Sequence, residues 1–159
     1  MTHRFWTAFF LALMAGIAQA ATPQIDVLLA AHNSWRAELA LPPLVWSDDL
    51  AKSAQAWADE LAGNDSFKHS TSNHGENIWK GTAAAYSQQS MVNSWGEEKK
   101  FYVHGIFPAV TTGGVVGHYT QIVWRTTRQV GCGLGTAHGY DVLVCQYDPP
   151  GNWTGQQPY

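Results

Sequence analysis

Two cysteines, Cys132 and Cys145, stand equidistant from the dipeptide His138-Gly139 in the segment QVGCGLGTAHGYDVLVCQY, and they are the only cysteines in the chain. A two-residue turn at His138-Gly139 makes Ala137 and Tyr140 a hydrogen-bonded pair of an antiparallel hairpin. Alternation along the strands then makes 132 and 145 a directly opposed, non-hydrogen-bonded pair with Cα atoms ~4.5 Å apart, close enough for a disulfide. Closing a loop of this length stabilises a fold by about 3 kcal/mol in the chain-entropy model. His138 is accordingly a turn residue, and a bridge at Cys132 and Cys145 requires an oxidising compartment.

The N-terminus supplies the route to such a compartment. MTHRFWTAFFLALMAGIAQA has a basic start at Arg4, an apolar run Phe5–Ile17 and an Ala18-Gln19-Ala20 cleavage site, the three parts of a secretory signal peptide. The apolar run is shorter than the ~20 residues of a membrane-spanning helix. Residues 1–20 are therefore expected to be removed, leaving 21–159 as a single domain, extracellular or periplasmic, with no stable membrane insertion. A net charge of −3 in 159 residues, with no basic cluster, excludes a nucleic-acid partner.

Helical periodicity opens the mature chain. Ile25, Leu28, Leu29, Trp35 and Leu39 recur at three and four over 25–40, ended by Pro42 and Pro43. Ser47 followed by Asp48 and Asp49 reads as an N-cap, and Leu50, Ala54, Trp57, Ala58 and Leu61 line a second helix that stops at Gly63. GENIWK (75–80) reads as a short strand. A third helix is expected over about 87–101, with Met91, Val92 and Trp95 on one side and Gly96 weakening its middle. Residues 102–116 form a Gly-containing loop leading into GHYTQIVW (117–124). Helices and antiparallel strands in separate runs define an α+β layered domain.

No contiguous enzyme motif is present: no H-E-x-x-H, no G-x-S-x-G, no C-x-x-C. GCGLG (131–135) precedes a strand rather than a helix and is not a dinucleotide loop. Trp35, Trp57 and Trp95 fall on core stripes rather than at sugar-stacking positions. Asn64-Asp65-Ser66 and Asn152-Trp153-Thr154 match glycosylation sequons. The remaining chemistry lies in dispersed His32, His69, His74, His104, His118 and His138 with Glu76, Glu97 and Glu98. Neutral imidazoles bind zinc, and carboxylates orient such imidazoles or act as general base to a bound water. His32 shares a helical face with Arg36, which suits a structural hydrogen-bonding role.

GHYTQIVWRTT (117–127) and VLVCQYDPPGNW (142–153) resemble the two signature segments of the CAP superfamily, the group of cysteine-rich secretory proteins, venom antigens and plant pathogenesis-related proteins. HNSWR (32–36) and GENI (75–78) resemble its two shorter motifs, in the same order. The resemblance implies a three-layer α/β/α sandwich with a central antiparallel sheet and a cleft that gathers two histidines and two glutamates. On this chain these are His118, Glu76, Glu98, and His69 with His74 as the alternative. It further implies a zinc or other divalent ion held weakly on His69 and His118, since two imidazoles supply half of a tetrahedral shell. Val116 stands where some members carry a cysteine, and the C-terminal cysteine-rich module of others is missing. The expected function is a secreted binding module whose cleft and adjacent groove take a lipid, sterol or peptide-like ligand. The alternatives are a zinc-dependent hydrolase with Glu76 or Glu98 catalytic, and a structural or wall-associated interaction protein.

Overall fold

The computed structural model describes residues 22–159; the segment 1–20, expected from sequence to be a signal peptide, lies outside them. In chain order the elements are α1 Ile25–Ala37, β1 Val45–Trp46, α2 Asp48–Gly63, β2 Gly75–Thr82, α3 Gln88–Gly96, a 3-10 turn Glu97–Phe101, α4 Gly117–Ile122, β3 Gln129–Ala137 and β4 Tyr140–Asp148. The sheet runs β1-β3-β4-β2. Helix α2 covers one face, while α1, α3 and α4 cover the other, so the domain has three layers.

Strand alternation decides which side chain meets which layer. On β4, Leu143, Cys145 and Tyr147 join Val130, Cys132 and Leu134 of β3 beneath α1, α3 and α4. Val142 and Val144 face the other way, onto Ala54, Ala58 and Leu61 of α2. The partners of these valines on β3 are Gly135 and Gly133, and Gly131 faces Gln146. A methyl on Gly135 would lie 2.5 Å from the Ala58 carbonyl oxygen, and one on Gly131 the same distance from that of Ser47. The glycines of GCGLG thus let the α2 backbone rest directly on β3, with Gln55 tying the two together through its side-chain bonds to the Leu134 N–H and C=O, both 2.9 Å.

The hairpin has the expected register: Ala137 faces Tyr140, and Cys132 faces Cys145 with Cα atoms 4.1 Å apart and a disulfide between them. His138 and Gly139 both have positive φ, 52° and 79°, as a primed two-residue turn demands. The His138 imidazole also reaches the Gly63 carbonyl at the end of α2, 3.1 Å away.

Elsewhere the chain departs from expectation. Helix α1 ends at Ala37 rather than Ala40, because the Arg36 carbonyl turns to accept from the Leu39 and Leu41 amides and Ala40 adopts φ 52°. The third helix is α-helical only to Gly96, then tightens into the 3-10 turn. A side chain at Gly96 would overlap the Trp35 indole, so the glycine is what allows α1 and α3 to approach. The sheet is not purely antiparallel: β1, absent from the sequence reading, pairs parallel with β3. Helix α4 was likewise not expected, six residues being too few for periodicity to register. Of the three tryptophans assigned to the core, Trp95 is buried, whereas Trp35 and Trp57 are half-buried at its margin.

Candidate functional site

The four residues of the expected tetrad form two histidine–glutamate pairs. On the loop before β2, His69 Nδ1 lies 2.9 Å from Glu76 Oε1. The same oxygen accepts from the Ser70 amide at 2.9 Å, and Glu76 Oε2 accepts from Gln146 Nε2 at 3.1 Å. At the start of α4, His118 Nδ1 lies 2.6 Å from Glu98 Oε1. Glu98 Oε2 accepts from the His118 and Tyr119 amides at 3.0 and 3.1 Å. Helix α4 has no N-cap side chain of its own, so Glu98 supplies the negative group its first amides require. The 3-10 turn after Gly96 is what brings Glu98 there.

A carboxylate can only accept, so each imidazole places its proton on Nδ1 and leaves Nε2 bare in the neutral form. Both glutamates are largely buried, with side chains 5 % and 15 % exposed, while His69 is 65 % and His118 28 % exposed. Burial pushes the Glu76 carboxyl up, but the hydrogen bonds from His69, Ser70 and Gln146 outweigh it and hold it below its ordinary value. The same bond to Glu76 raises the pKa of His69. His118 stacks on Trp95, ring centroids 6.0 Å apart and planes 15° from parallel.

Behind the His118 loop runs a buried polar chain built from all four motifs. His32 Nδ1 donates to the Leu28 carbonyl at 2.7 Å, which leaves Nε2 to accept from the Tyr147 hydroxyl at 2.8 Å. Asn77 Nδ2 in turn donates to Tyr147 at 3.1 Å and to the His118 carbonyl at 3.0 Å. Burial lowers the His32 pKa to about 4, so this imidazole stays neutral. Arg36, fully buried and without an acidic partner among the described residues, donates to the carbonyls of Pro42, Ile122, Trp124 and Thr127. It closes the C-terminal end of α4, as the sequence reading of a structural His32 and Arg36 requires. Asn152 pins the other side, donating to the Gly117 carbonyl and accepting from Thr120. Its side chain is thereby committed inside the fold, so the sequon at 152 is structural.

His74 and Asn73 are exposed and make no side-chain hydrogen bond among the described residues. The His104 ring sits against Tyr159, 5.7 Å between centroids. Sequence reasoning passed over Asn77, Tyr147, Gln146 and Ser70, although the first three lie inside the quoted motifs; their signal was a polar residue in an otherwise apolar strand.

Among the described residues, one His/Cys/Asp/Glu group of three or more has its ligand atoms within 4.8 Å of one another: His32, Cys132 and Cys145. Both sulfurs are consumed by the disulfide and the group is buried, so it cannot ligate as it stands. The tetrad instead offers a split donor set, two bare Nε2 atoms each backed by a carboxylate. That pattern fits a weakly held zinc in its chemistry.

A three-layer domain with this sheet order is the architecture of CAP-type secretory and venom-allergen-like proteins. The chain is similar to a crystal structure of NaASP2 with Zn2+ (TM-score 0.71, 25 % identity, covering 87 % of this chain and 86 % of that one) and to BmVAL-1 (TM-score 0.71, 25 % identity, 86 % and 81 %). The model of CAP, the cysteine-rich secretory protein family, matches residues 29–147, and the chain belongs to that family. Among named relatives it is 37 % identical over 132 residues to pathogenesis-related protein 1A of Nicotiana tabacum, spanning 82 % of this chain and 78 % of the relative. It is 38 % identical over 130 residues to pathogenesis-related protein 1 of Arabidopsis thaliana, spanning 81 % and 78 %.

Proposed function

We propose that residues 21–159, released from a signal peptide at 1–20, act outside the cytoplasm as a binding module. A divalent ion, zinc by preference, is held weakly on His69 Nε2 and His118 Nε2, and its occupancy adjusts a neighbouring groove that takes a lipid, sterol or peptide-like ligand. The observation that carries this reading is the twofold Nδ1–carboxylate pairing. It fixes each ring and its tautomer, raises the basicity of the free nitrogen and leaves that nitrogen available. Similarity to a protein whose structure contains Zn2+, the disulfide, and the absence of a described helix long and apolar enough to cross a membrane support it further.

Glu76 and Glu98 act as orienters. Every carboxylate oxygen of the two already accepts a hydrogen bond, from an imidazole, a backbone amide or Gln146. When bound, the metal would supply a positive centre for a ligand carbonyl, hydroxyl or carboxylate; His69 and His118 would hold it, and Trp95 stacks on the His118 ring to fix its plane.

Calorimetric titration of the metal-free protein with zinc tests the reading. The parent should bind, and His69→Ala and His118→Ala should each lose that binding; equal affinity in all three overturns the site. Chelator-sensitive turnover of a peptide or ester, lost in Glu76→Ala or Glu98→Ala, would replace binding by hydrolysis.

A further inference from the structure

Two shallow clefts meet at Ser72. One, about 340 Å³, lies between α2 and the 70–72 segment and is walled by Trp57, Glu60, Ser70 and Gln146. The other, about 490 Å³, is walled by Asn73, His74, Pro150 and Trp153. We propose that together they form a binding groove for an uncharged oligosaccharide, with the exposed Trp153 as its stacking platform.

Three features point to this ligand class. Both indoles are fixed by their own N–H groups, Trp57 Nε1 donating to the Lys68 carbonyl at 3.2 Å and Trp153 Nε1 to the Pro150 carbonyl at 2.9 Å. Trp153, 54 % exposed, therefore offers an oriented face and no free donor, whereas Trp57 packs against the core with Lys68 Nζ 5.7 Å from its ring centroid and serves as a wall. The electron-rich face of an indole attracts the weakly positive C–H face of a pyranose. At the floor, Gln146 is 1 % exposed and its Oε1 has no hydrogen-bond partner, an unpaired buried acceptor. Its orientation is dictated by the bond from Nε2 to the Glu76 carboxylate, which would repel Oε1. A donor hydroxyl brought to it, with a small opening of the cleft floor, would relieve the cost of that unmade bond.

The third feature is the balance of charge and polar groups. Neither cleft is lined by lysine or arginine, which disfavours phosphate or carboxylate ligands. Ser70 and Ser72, hydrogen-bonded to each other at 2.9 Å, and the unpartnered Asn73 and His74 supply the mixed donors and acceptors that a polyol matches. The groove meets the histidine–glutamate system at Glu76, through Gln146 and Ser70, and beside Gly117, through Asn152, but His118 lines neither cleft, so saccharide binding does not depend on an ion there.

The test is calorimetric titration of the unglycosylated mature protein, made in a bacterial host, with cello-oligosaccharides and chito-oligosaccharides. Saturable binding of one series is expected, weakened at least about tenfold in Trp153→Ala, the scale of losing one stacked ring. Gln146→Met, which keeps the side-chain length but removes the acceptor together with the Nε2 donor to Glu76, should weaken binding comparably, while His118→Ala should leave it unchanged even where zinc binding is lost. Thermal unfolding of each variant confirms folding; Trp153, exposed at the surface, serves if Gln146→Met does not fold. No binding of either series, affinity unchanged in Trp153→Ala, or displacement by an alanine tetrapeptide at equal concentration would overturn the proposal.

Discussion

His32 Nε2 and the Tyr147 hydroxyl, 115 positions apart in sequence, lie 2.8 Å apart in the core between α1 and the sheet. Because Tyr147 also accepts from Asn77, and Asn77 holds the His118 carbonyl, a motif on the first helix fixes the backbone of a candidate site residue on α4. Tyr147→Phe leaves His32 Nε2 and one Asn77 donor interaction unsatisfied in a fully buried place. A loss of about 1–3 kcal/mol is expected in urea unfolding.

Acid should destabilise the fold through His32. Its pKa falls from 6.5 to about 4 on folding, so between those values the unfolded chain binds a proton that the folded chain does not. Stability therefore drops as pH falls through this window, by up to about 3 kcal/mol. The lowered Glu76 pKa acts in the same direction at lower pH, its contribution being present above 4.5 and lost as pH falls through the folded value. The raised pKa of His69 acts oppositely, contributing below 6.5 and fading as pH rises through its folded value, and its exposure keeps the effect small. Urea midpoints between pH 4 and 7 should show the slope, flattened in His32→Gln.

Gly133→Ala should be among the most damaging small changes. The added methyl would overlap the Gln55 backbone of α2, where no flexible side chain can yield. A cost of about 1–3 kcal/mol or more is expected. Gly63→Ala, where a methyl meets nothing within 4 Å, should be neutral or stabilising by about 0.5–1 kcal/mol. Melting temperatures of the two variants would distinguish a packing requirement from a general intolerance of glycine replacement.

Glu98→Gln retains shape but weakens the acceptor for His118 Nδ1 and for two first-turn amides of α4. Zinc affinity should fall about 10- to 100-fold, the usual effect of losing a carboxylate behind a ligating histidine. Calorimetry of folded Glu98→Gln checks it.

Replacing both Cys132 and Cys145 by alanine should lower stability by about 3 kcal/mol. Chemical unfolding of the double variant against the parent measures it, and the hairpin register should survive, because Val130, Leu134, Leu143 and Tyr147 still face the same layer.

The local chemistry of the chain was legible without a structure. The spacing of Cys132 and Cys145 about His138-Gly139 set the hairpin register, and Ser47 with its two aspartates marked the start of α2, because turns and caps are written in adjacent residues. The four motifs pointed to the right fold. Distance in sequence hid the rest. The glycines of GCGLG look like a loop motif until α2 is laid across them, and α4 is too short to carry a period. His32 and Tyr147 reveal themselves as partners only when α1 packs on β4. Which carboxylate serves which histidine was equally undetermined: the pairing of Glu98 with His118 depends on the tight turn after Gly96, a position where the Trp35 ring leaves no room for a side chain. Local sequence thus determined the elements and the residue types of the site, while tertiary packing decided its pairings, because buried polar groups must find partners wherever the chain brings them.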